Sequence, residues 1–270
     1  MPLLASLVAT SQRVASTAGR RSKVQELSLF LKTLPADEIE IAANYLSGEI
    51  PQGKIGIAYK PLRAAAATGP AAEAVLSLSE VDGALGAIAE MRGAGSTVLR
   101  AHALKALFSR ATTAEQQFLL RLLAGELRQG ALAGIMIEAI AAAADLPAPR
   151  VRQAAMYSNG LGPVARAALL EGEPALSAFR LELFKPASPM LADTAADPAE
   201  ALKELGGEAA FEWKMDGARI QAHKVADEVR IYTRSLNEVT AAIPEIVEAV
   251  RAFAAHTLVL DGEAIAFGST

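Results

Sequence analysis

The 270-residue sequence contains no cysteine, three histidines and few aromatic residues, which make up 5% of the chain. Without cysteine the chain has no disulfide framework, no cysteine nucleophile and no cysteine-ligated zinc or iron–sulfur site. His102, His223 and His256 lie far apart in the sequence, which argues against a histidine-rich metal site. The low aromatic content argues against a surface that stacks the bases of a single strand.

Long apolar runs are also missing. The most apolar stretch, residues 131–144, is interrupted by Glu138 and is too short to span a bilayer. The first 13 residues place no basic side chain ahead of their apolar stretch, unlike a secretory signal peptide. We therefore expect no membrane association, and the lack of cysteine fits a reducing cytoplasm. Richness in alanine, with arginine favoured over lysine, is typical of bacteria with GC-rich genomes.

Charge is distributed unevenly along the chain. In total 26 basic and 30 acidic side chains give a net charge of −4 at pH 7. Residues 1–185 carry 19 basic and 16 acidic side chains, whereas residues 186–270 carry 7 and 14. The weakly acidic total can therefore hide a basic surface on the N-terminal part.

Residues 1–184 have the pattern of an all-α domain. Alanine, leucine, glutamate and arginine dominate, and apolar residues recur at spacings of three and four. Thr112, with Glu115 three residues later, predicts a helix start with a capping box. We expect that helix to run to Arg128 and to end at Gly130, with another helix following at once.

The pattern changes near residue 184. Two closely spaced prolines within residues 184–192 predict an extended connector. The strands predicted after it are 210–215, 218–225, 229–234 and 258–267, and the helices are 198–205 and 243–254. The expected fold is therefore multidomain, with an all-α domain over residues 1–184 and the first part of an α+β domain over residues 185–270.

The most informative stretch is residues 211–219. On a strand, Glu212, Lys214 and Asp216 would share one face, while Trp213 and Met215 would face the core. A lysine between two carboxylates is either part of a solvated strand face or a positioned nucleophile, which attacks only after it loses its proton. Asp216 is equally suited to an Asp-Gly hairpin turn and to a catalytic role.

The pattern Lys-x-Asp-Gly-x-Arg, from Lys214 to Arg219, resembles the nucleotidyltransferase signature of DNA ligases, RNA ligases and mRNA capping enzymes. Residues 231–235 resemble the next motif of that superfamily, although Ser235 stands where asparagine is usual. Residues 258–267 resemble the motif that carries a glutamate near the ribose, and 186–192 resemble the lead-in to the adenylation domain of ATP-dependent DNA ligases.

The resemblance implies a role for each matching residue. Lys214 would attack the α-phosphate and carry the nucleotide, and Glu212 would help to read the adenine. Arg219 would contact the nucleotide sugar or the phosphate end of the nick, and Arg234 would contact phosphate. Glu263 would bind the ribose hydroxyls or help to organise a metal ion, whose other ligands are unknown. Asp261 would either shape a turn before Gly262 or contribute to the site.

The helical half resembles the DNA-binding domain that precedes the adenylation domain in multidomain ATP-dependent DNA ligases. Such a domain grips the DNA backbone through helix N-termini, glycines and scattered basic side chains. The junction with Arg128 and Gly130 resembles one contact region of the family. A cluster with Thr17, Arg20 and Lys23 resembles the first DNA-contacting turn, although a solvated helix end would look the same.

These inferences lead to one main hypothesis: an ATP-dependent DNA ligase that uses ATP and Mg²⁺ to seal nicks in double-stranded DNA, acting as a monomer. The later family motifs and the oligonucleotide-binding fold (OB-fold) are missing from residues 185–270. We therefore expect a fragment that adenylates weakly or not at all by itself. The alternatives are an RNA ligase or capping-type nucleotidyltransferase, and a DNA-binding module without catalysis.

Overall fold

A computed structural model of the chain describes residues 3–53, 55–127, 133–189 and 194–266. The chain forms two compact units, Met1–Phe179 and Arg180–Thr270. The domain boundary that the sequence places between residues 184 and 185 stays a prediction.

The described part of the first unit is built from α-helices that bury one extended apolar cluster, rich in leucine and alanine. The helices are α1 (Leu4–Ser16), α2 (Arg20–Lys32), α3 (Ile39–Ser47), α4 (Tyr59–Ala66), α5 (Leu78–Glu90), α6 (Ser96–Ser109), α7 (Thr113–Leu123), α8 (Ala133–Ala144), α9 (Ala148–Met156), α10 (Leu161–Leu170) and α11 (Glu173–Leu176).

The start of α7 confirms the predicted capping box. The backbone N–H of Thr112 donates to Glu115 Oε2 at 2.8 Å, and the N–H of Glu115 donates to Thr112 Oγ1 at 3.5 Å. The predicted end at Arg128 is wrong, because α7 stops at Leu123. Gly125 follows with a φ of +68°, a left-handed conformation that stops a helix and that glycine adopts without steric cost.

The second unit carries a small sheet with one helix packed against it. Its elements are α12 (Pro198–Glu204), β1 (Ala218–Val225), β2 (Glu228–Thr233), a 3₁₀ turn (Thr240–Ala242), α13 (Pro244–Arg251) and β3 (Thr257–Ala264). The three strands are antiparallel in the order β2-β1-β3. Ala222, Val229 and Ile231 pack with Val247 and Val250 of α13 to form a small core on one face of the sheet.

The predicted strand over residues 210–215 is wrong, since this segment has no regular secondary structure. Trp213 is 92% exposed and Met215 is also exposed, so their predicted place in the core is wrong too. The apolar–polar alternation suits a strand, but a strand also needs a neighbouring strand to hydrogen-bond its backbone groups. No strand within the described residues pairs with this segment. Asp216 and Gly217 therefore do not form a hairpin turn. The hairpin joins β1 to β2, with Ala226 at a φ of +50°.

Over its described residues the chain is rich in helix and has one small antiparallel sheet. None of the helices in this part of the chain is both long enough and apolar enough to cross a membrane.

Candidate active site and nucleic-acid surface

The face of the sheet opposite α13 is polar. In the β1–β3 register, Arg219 lies opposite Glu263 and Gln221 lies opposite Asp261. Directly paired residues on antiparallel strands project to the same side, so these four side chains share one face. Two of the residues predicted for the site, Arg219 and Glu263, are therefore brought together.

Arg219 and Asp261 form a bidentate ion pair on this face. Arg219 Nε lies 2.9 Å from Asp261 Oδ1, and Nη2 lies 2.8 Å from Oδ2. Hydrogen bonding to Asp261 raises the pKa of Arg219. Asp261 lies inside β3, so the predicted alternative in which it shapes a turn before Gly262 is wrong. Its carboxylate fixes the plane and direction of the Arg219 guanidinium group.

Arg219 and Asp261 line a shallow pocket together with Gln221, Arg234 and Pro189, and Ile220, Thr233 and Leu236 complete its lining. Arg234 is exposed just after β2 and has no hydrogen-bond or ion-pair partner among the described residues. Two guanidinium groups thus line the same depression: Arg219 is oriented by Asp261, and Arg234 is unpaired within the described part of the chain. Such a pair suits an anionic group such as phosphate.

Lys214 and Glu212 lie outside this pocket lining, in the exposed segment before β1. Neither has a hydrogen-bond or ion-pair partner within the described ranges. Gly217, at the end of this segment, packs closely against the end of β3. A Cβ atom there would lie 3.0 Å from Glu263 Cγ and even closer to the carbonyl oxygen of Ala264. Three residues span at most about 11 Å, so Lys214 lies within that distance of Gly217.

The carboxylates in the described ranges do not form a metal centre by themselves, because no group of three or more histidine or acidic side chains lies close enough there. Asp261 is engaged by Arg219, whereas Glu263 has no hydrogen-bond partner among the same residues. Mg²⁺ in nucleotide sites is commonly held by one or two carboxylates, water and the substrate phosphates. Glu263 can supply such a ligand to a metal ion that arrives with a nucleotide.

The predicted DNA-contacting turn lies between α1 and α2. Thr17 follows α1 and its Oγ1 donates to the carbonyl of Arg13 at 2.7 Å. Arg20 begins α2 and binds Glu138 of α8 through two hydrogen bonds, at 2.7 and 3.1 Å. This interaction lowers the pKa of Glu138. Lys23 lies in the first turn of α2, half-buried.

The other predicted DNA contacts, Arg128 and Gly130, lie outside the described residues. The structure nevertheless places the start of α8 beside the turn before α2, because Arg20 Nη2 would lie 3.7 Å from a Cβ atom at Gly134. The N-terminal ends of α2 and α8 are therefore neighbours. Helix N-termini offer backbone N–H groups to phosphates.

Gln221 and Pro189 line the pocket. From the sequence we predicted no role for Gln221, and we predicted Pro189 only as part of a connector. Gln221 could have been found from strand periodicity, since it lies two residues from Arg219 on the correctly predicted strand. Pro189 could not have been found in this way, because it lies far before β1 in the sequence and outside any strand pattern.

Two family models match the chain. Residues 52–141 match a model described as DNA ligase N terminus. Residues 189–270 match a model described as ATP dependent DNA ligase domain, and this range includes Lys214, Arg219, Arg234 and Glu263.

Bacterial relatives agree with these models. A protein named "Probable DNA ligase" from Anaeromyxobacter dehalogenans strain 2CP-1 is 53% identical over 266 residues, which are 98% of this chain and 52% of that protein. Proteins of the same name from Rhodococcus opacus strain B4 and Mycolicibacterium gilvum strain PYR-GCK are 48% and 47% identical over 264 residues, covering 98% of this chain and 52% and 51% of those proteins. The chain thus spans about half the length of the curated relatives it matches. From its sequence motifs, the two domain models and these relatives, the chain belongs to the ATP-dependent DNA ligase family.

Proposed function

We propose that this chain is part of an ATP-dependent DNA ligase that seals nicks in duplex DNA through a lysyl-AMP intermediate on Lys214. The observation that carries the proposal is the arrangement around β1. Lys214 is exposed, has no partner among the residues that the structure describes, and precedes the strand. Arg219, Arg234 and Glu263 lie at the end of the sheet that Gly217 contacts. That arrangement offers a nucleophile beside groups that bind a triphosphate and a ribose.

In the first step, the deprotonated Lys214 Nζ attacks the α-phosphorus of ATP. The new N–P bond forms as the bond from the α-phosphorus to the bridging oxygen breaks, and pyrophosphate leaves. Arg219 and Arg234 hold phosphate or sugar oxygens, Glu212 reads the adenine, and Glu263 binds the ribose hydroxyls. Mg²⁺ bound with the nucleotide would neutralise phosphate charge, and Glu263 could instead supply a carboxylate ligand to it.

In the later steps AMP passes from Lys214 to the 5′-phosphate at the nick, and the 3′-hydroxyl then displaces AMP. Thr17, Arg20 and Lys23, with Arg128 and Gly130, would hold the DNA backbone during these steps. We assign residues 1–184 to an all-α DNA-binding domain and residues 185–270 to the first part of an α+β adenylation domain. We further propose that the ligase acts as a monomer in the bacterial cytoplasm.

Binding to nucleic acid tests the substrate. We expect the chain to prefer nicked duplex DNA to single-stranded RNA, and its affinity to fall as salt rises because bound phosphates release counterions. Replacing Arg20 with alanine should reduce the slope of log affinity against log salt by about one. Fluorescence anisotropy with a labelled nicked duplex measures both.

A matched control is Arg110, which pairs with Glu80 at 2.8 Å on the same helical unit, much as Arg20 pairs with Glu138. Arg110→Ala should leave the salt slope unchanged. Equal slopes for the two variants would refute a phosphate contact by Arg20. Preference for the single-stranded RNA would favour an RNA ligase. A chain that binds DNA but transfers no AMP, and whose DNA affinity is unchanged by Lys214→Ala, would favour a DNA-binding module.

Asp261 offers a test of the pocket itself. Asp261→Asn keeps the shape of the side chain but removes the charge that orients Arg219. A misplaced contact group commonly slows a reaction by up to about 100-fold, so we expect AMP transfer to slow by roughly ten- to 100-fold. The rate of incorporation of label from α-phosphate-labelled ATP measures this. An unchanged rate would show that the orientation of Arg219 does not matter for the step.

A further inference from the structure

A short segment of the connector is fastened to the polar face of the sheet by side chains. The N–H of Phe184 donates to His223 Nδ1 at 2.9 Å, and the hydroxyl of Tyr232 donates to the Phe184 carbonyl at 2.8 Å. The N–H of Ala187 donates to Gln221 Oε1 at 2.9 Å, and Gln221 Nε2 donates to the Ala187 carbonyl at 2.8 Å. We call residues 184–189 the strap.

The conformation of the strap depends on these bonds. Phe184 has a φ of +64°, which is uncommon for a residue with a Cβ atom. Such a backbone persists where its surroundings determine it fully. Besides the two hydrogen bonds to its backbone, the Phe184 ring lies 4.6 Å from the guanidinium carbon of Arg230. The sheet therefore holds Phe184 through its N–H, its carbonyl and its ring.

His223 is fully buried beneath the strap, and burial lowers the pKa of its imidazole. A backbone N–H can only donate, so Nδ1 must be unprotonated, and we infer that Nε2 carries the hydrogen. The Tyr232 ring meets the imidazole edge-on, with ring centres 5.2 Å apart. His223 is thus a neutral acceptor held in one orientation.

The strap leads directly into the pocket. Pro189 lies two residues after Ala187 and lines the pocket with Arg219, Arg234 and Gln221. Gln221 therefore both fastens the strap and lines the pocket. His223 and Tyr232 do not line the pocket. Both hold the strap, and His223 Nε2 also lies 3.3 Å from Oε1 of Gln221, the side chain that fastens Ala187 and lines the pocket.

We propose that His223 and Tyr232 are positioning residues for nucleotide binding, because they fix the strap that holds Pro189 as a wall of the pocket. This inference rests on the proposed function. It predicts that loosening the strap weakens the capture of ATP without unfolding the unit.

The test uses three variants of the whole chain. His223→Leu removes the acceptor for Phe184, His223→Gln restores an acceptor oxygen, and Tyr232→Phe removes only a hydroxyl. Tyr59→Phe is the control, since Tyr59 is exposed and has no hydrogen-bond partner among the described residues. Far-UV circular dichroism checks that each variant is folded, and Tyr232→Phe keeps the test valid if His223→Leu does not fold.

Two readouts are compared. Hydrogen exchange at peptides containing Phe184 and Ala187 reports on the strap, and we expect exchange about fivefold faster for each hydrogen bond lost. The single tryptophan, Trp213, adjoins Lys214, so we expect its emission to change when ATP binds. The half-saturating ATP concentration should rise about fivefold in His223→Leu and Tyr232→Phe and should stay near the wild-type value in His223→Gln and Tyr59→Phe.

Faster hydrogen exchange in the strap, together with an unchanged half-saturating ATP concentration, would overturn the proposal, because the strap would then be structural only. Unchanged exchange in both His223→Leu and Tyr232→Phe would overturn it as well. A wild-type chain whose Trp213 emission does not respond to ATP would refute the positioning role, because there would be no nucleotide binding to support. A full-length ligase that is not labelled on Lys214 would separately refute the proposed function.

Discussion

Replacing Lys214 with alanine will abolish covalent labelling of the chain by ATP. The amine is the only atom of the signature that can form the N–P bond, and alanine offers no nucleophile in its place. Loss of a covalent nucleophile commonly costs several orders of magnitude in rate. Incubation with Mg²⁺ and α-phosphate-labelled ATP, followed by denaturing electrophoresis, measures the label. Each chain accepts AMP once, so even slow transfer accumulates.

Lys203 provides the matched control. It is also an exposed lysine of the second unit, in the last turn of α12. Lys203→Ala should be labelled as fast as the wild-type chain. DNA affinity should be the same in both variants, since neither residue belongs to the proposed DNA surface. Labelling of Lys214→Ala at the wild-type rate would identify a different nucleophile.

Replacing Gly217 with alanine is expected to slow AMP transfer by about 100-fold or more. The added methyl group would clash with the carbonyl of Ala264 and crowd Glu263 Cγ, at 3.0 Å. Backbone cannot yield as a flexible side chain does, so either the Lys214 segment or the end of β3 must shift. A displacement of about 1 Å can cost about 100-fold in rate.

Gly262→Ala separates this steric effect from a general effect of losing glycine. Gly262 lies on β3, and a Cβ atom there would meet no heavy atom within 4 Å. We expect its labelling rate to remain within about threefold of wild type. Equal thermal unfolding midpoints would show that both variants fold. Equal rates in the two variants would contradict the role given to Gly217.

Local signals accounted for much of the fold. The predicted limits of β1, residues 218–225, agree with the structure, and so does the start of α12 at Pro198. Asp197 caps α12 by accepting the N–H of Glu200 at 2.8 Å, an interaction that lies within four residues of sequence. Such elements can be predicted because their determinants lie inside the segment itself.

Features that depend on distant residues were harder to predict. The alternation over 210–215 predicted a strand, but whether a strand forms depends on a partner elsewhere in the chain. Asp216-Gly217 predicted a hairpin turn, but the structure shows that Gly217 is needed because the carbonyl of Ala264 lies too close for a Cβ atom there. The strap joins residues that are 34 to 48 positions apart through side-chain hydrogen bonds, which no periodicity reveals.

The site shows the same division. The motif from Lys214 to Arg219 supplied the candidate nucleophile and one arginine from sequence alone. The sequence did not reveal that Asp261 orients that arginine, because the contact is made across two strands 42 positions apart. Strand register, which only the folded sheet determines, creates this pair.

The most direct measurement is the mass of the intact chain after a long incubation with ATP and Mg²⁺, followed by peptide mapping of the modified residue. We predict a gain of one AMP, carried by Lys214. An AMP on another residue, or a Lys214 that also remains unmodified when the measurement is repeated on the full-length ligase, would contradict it.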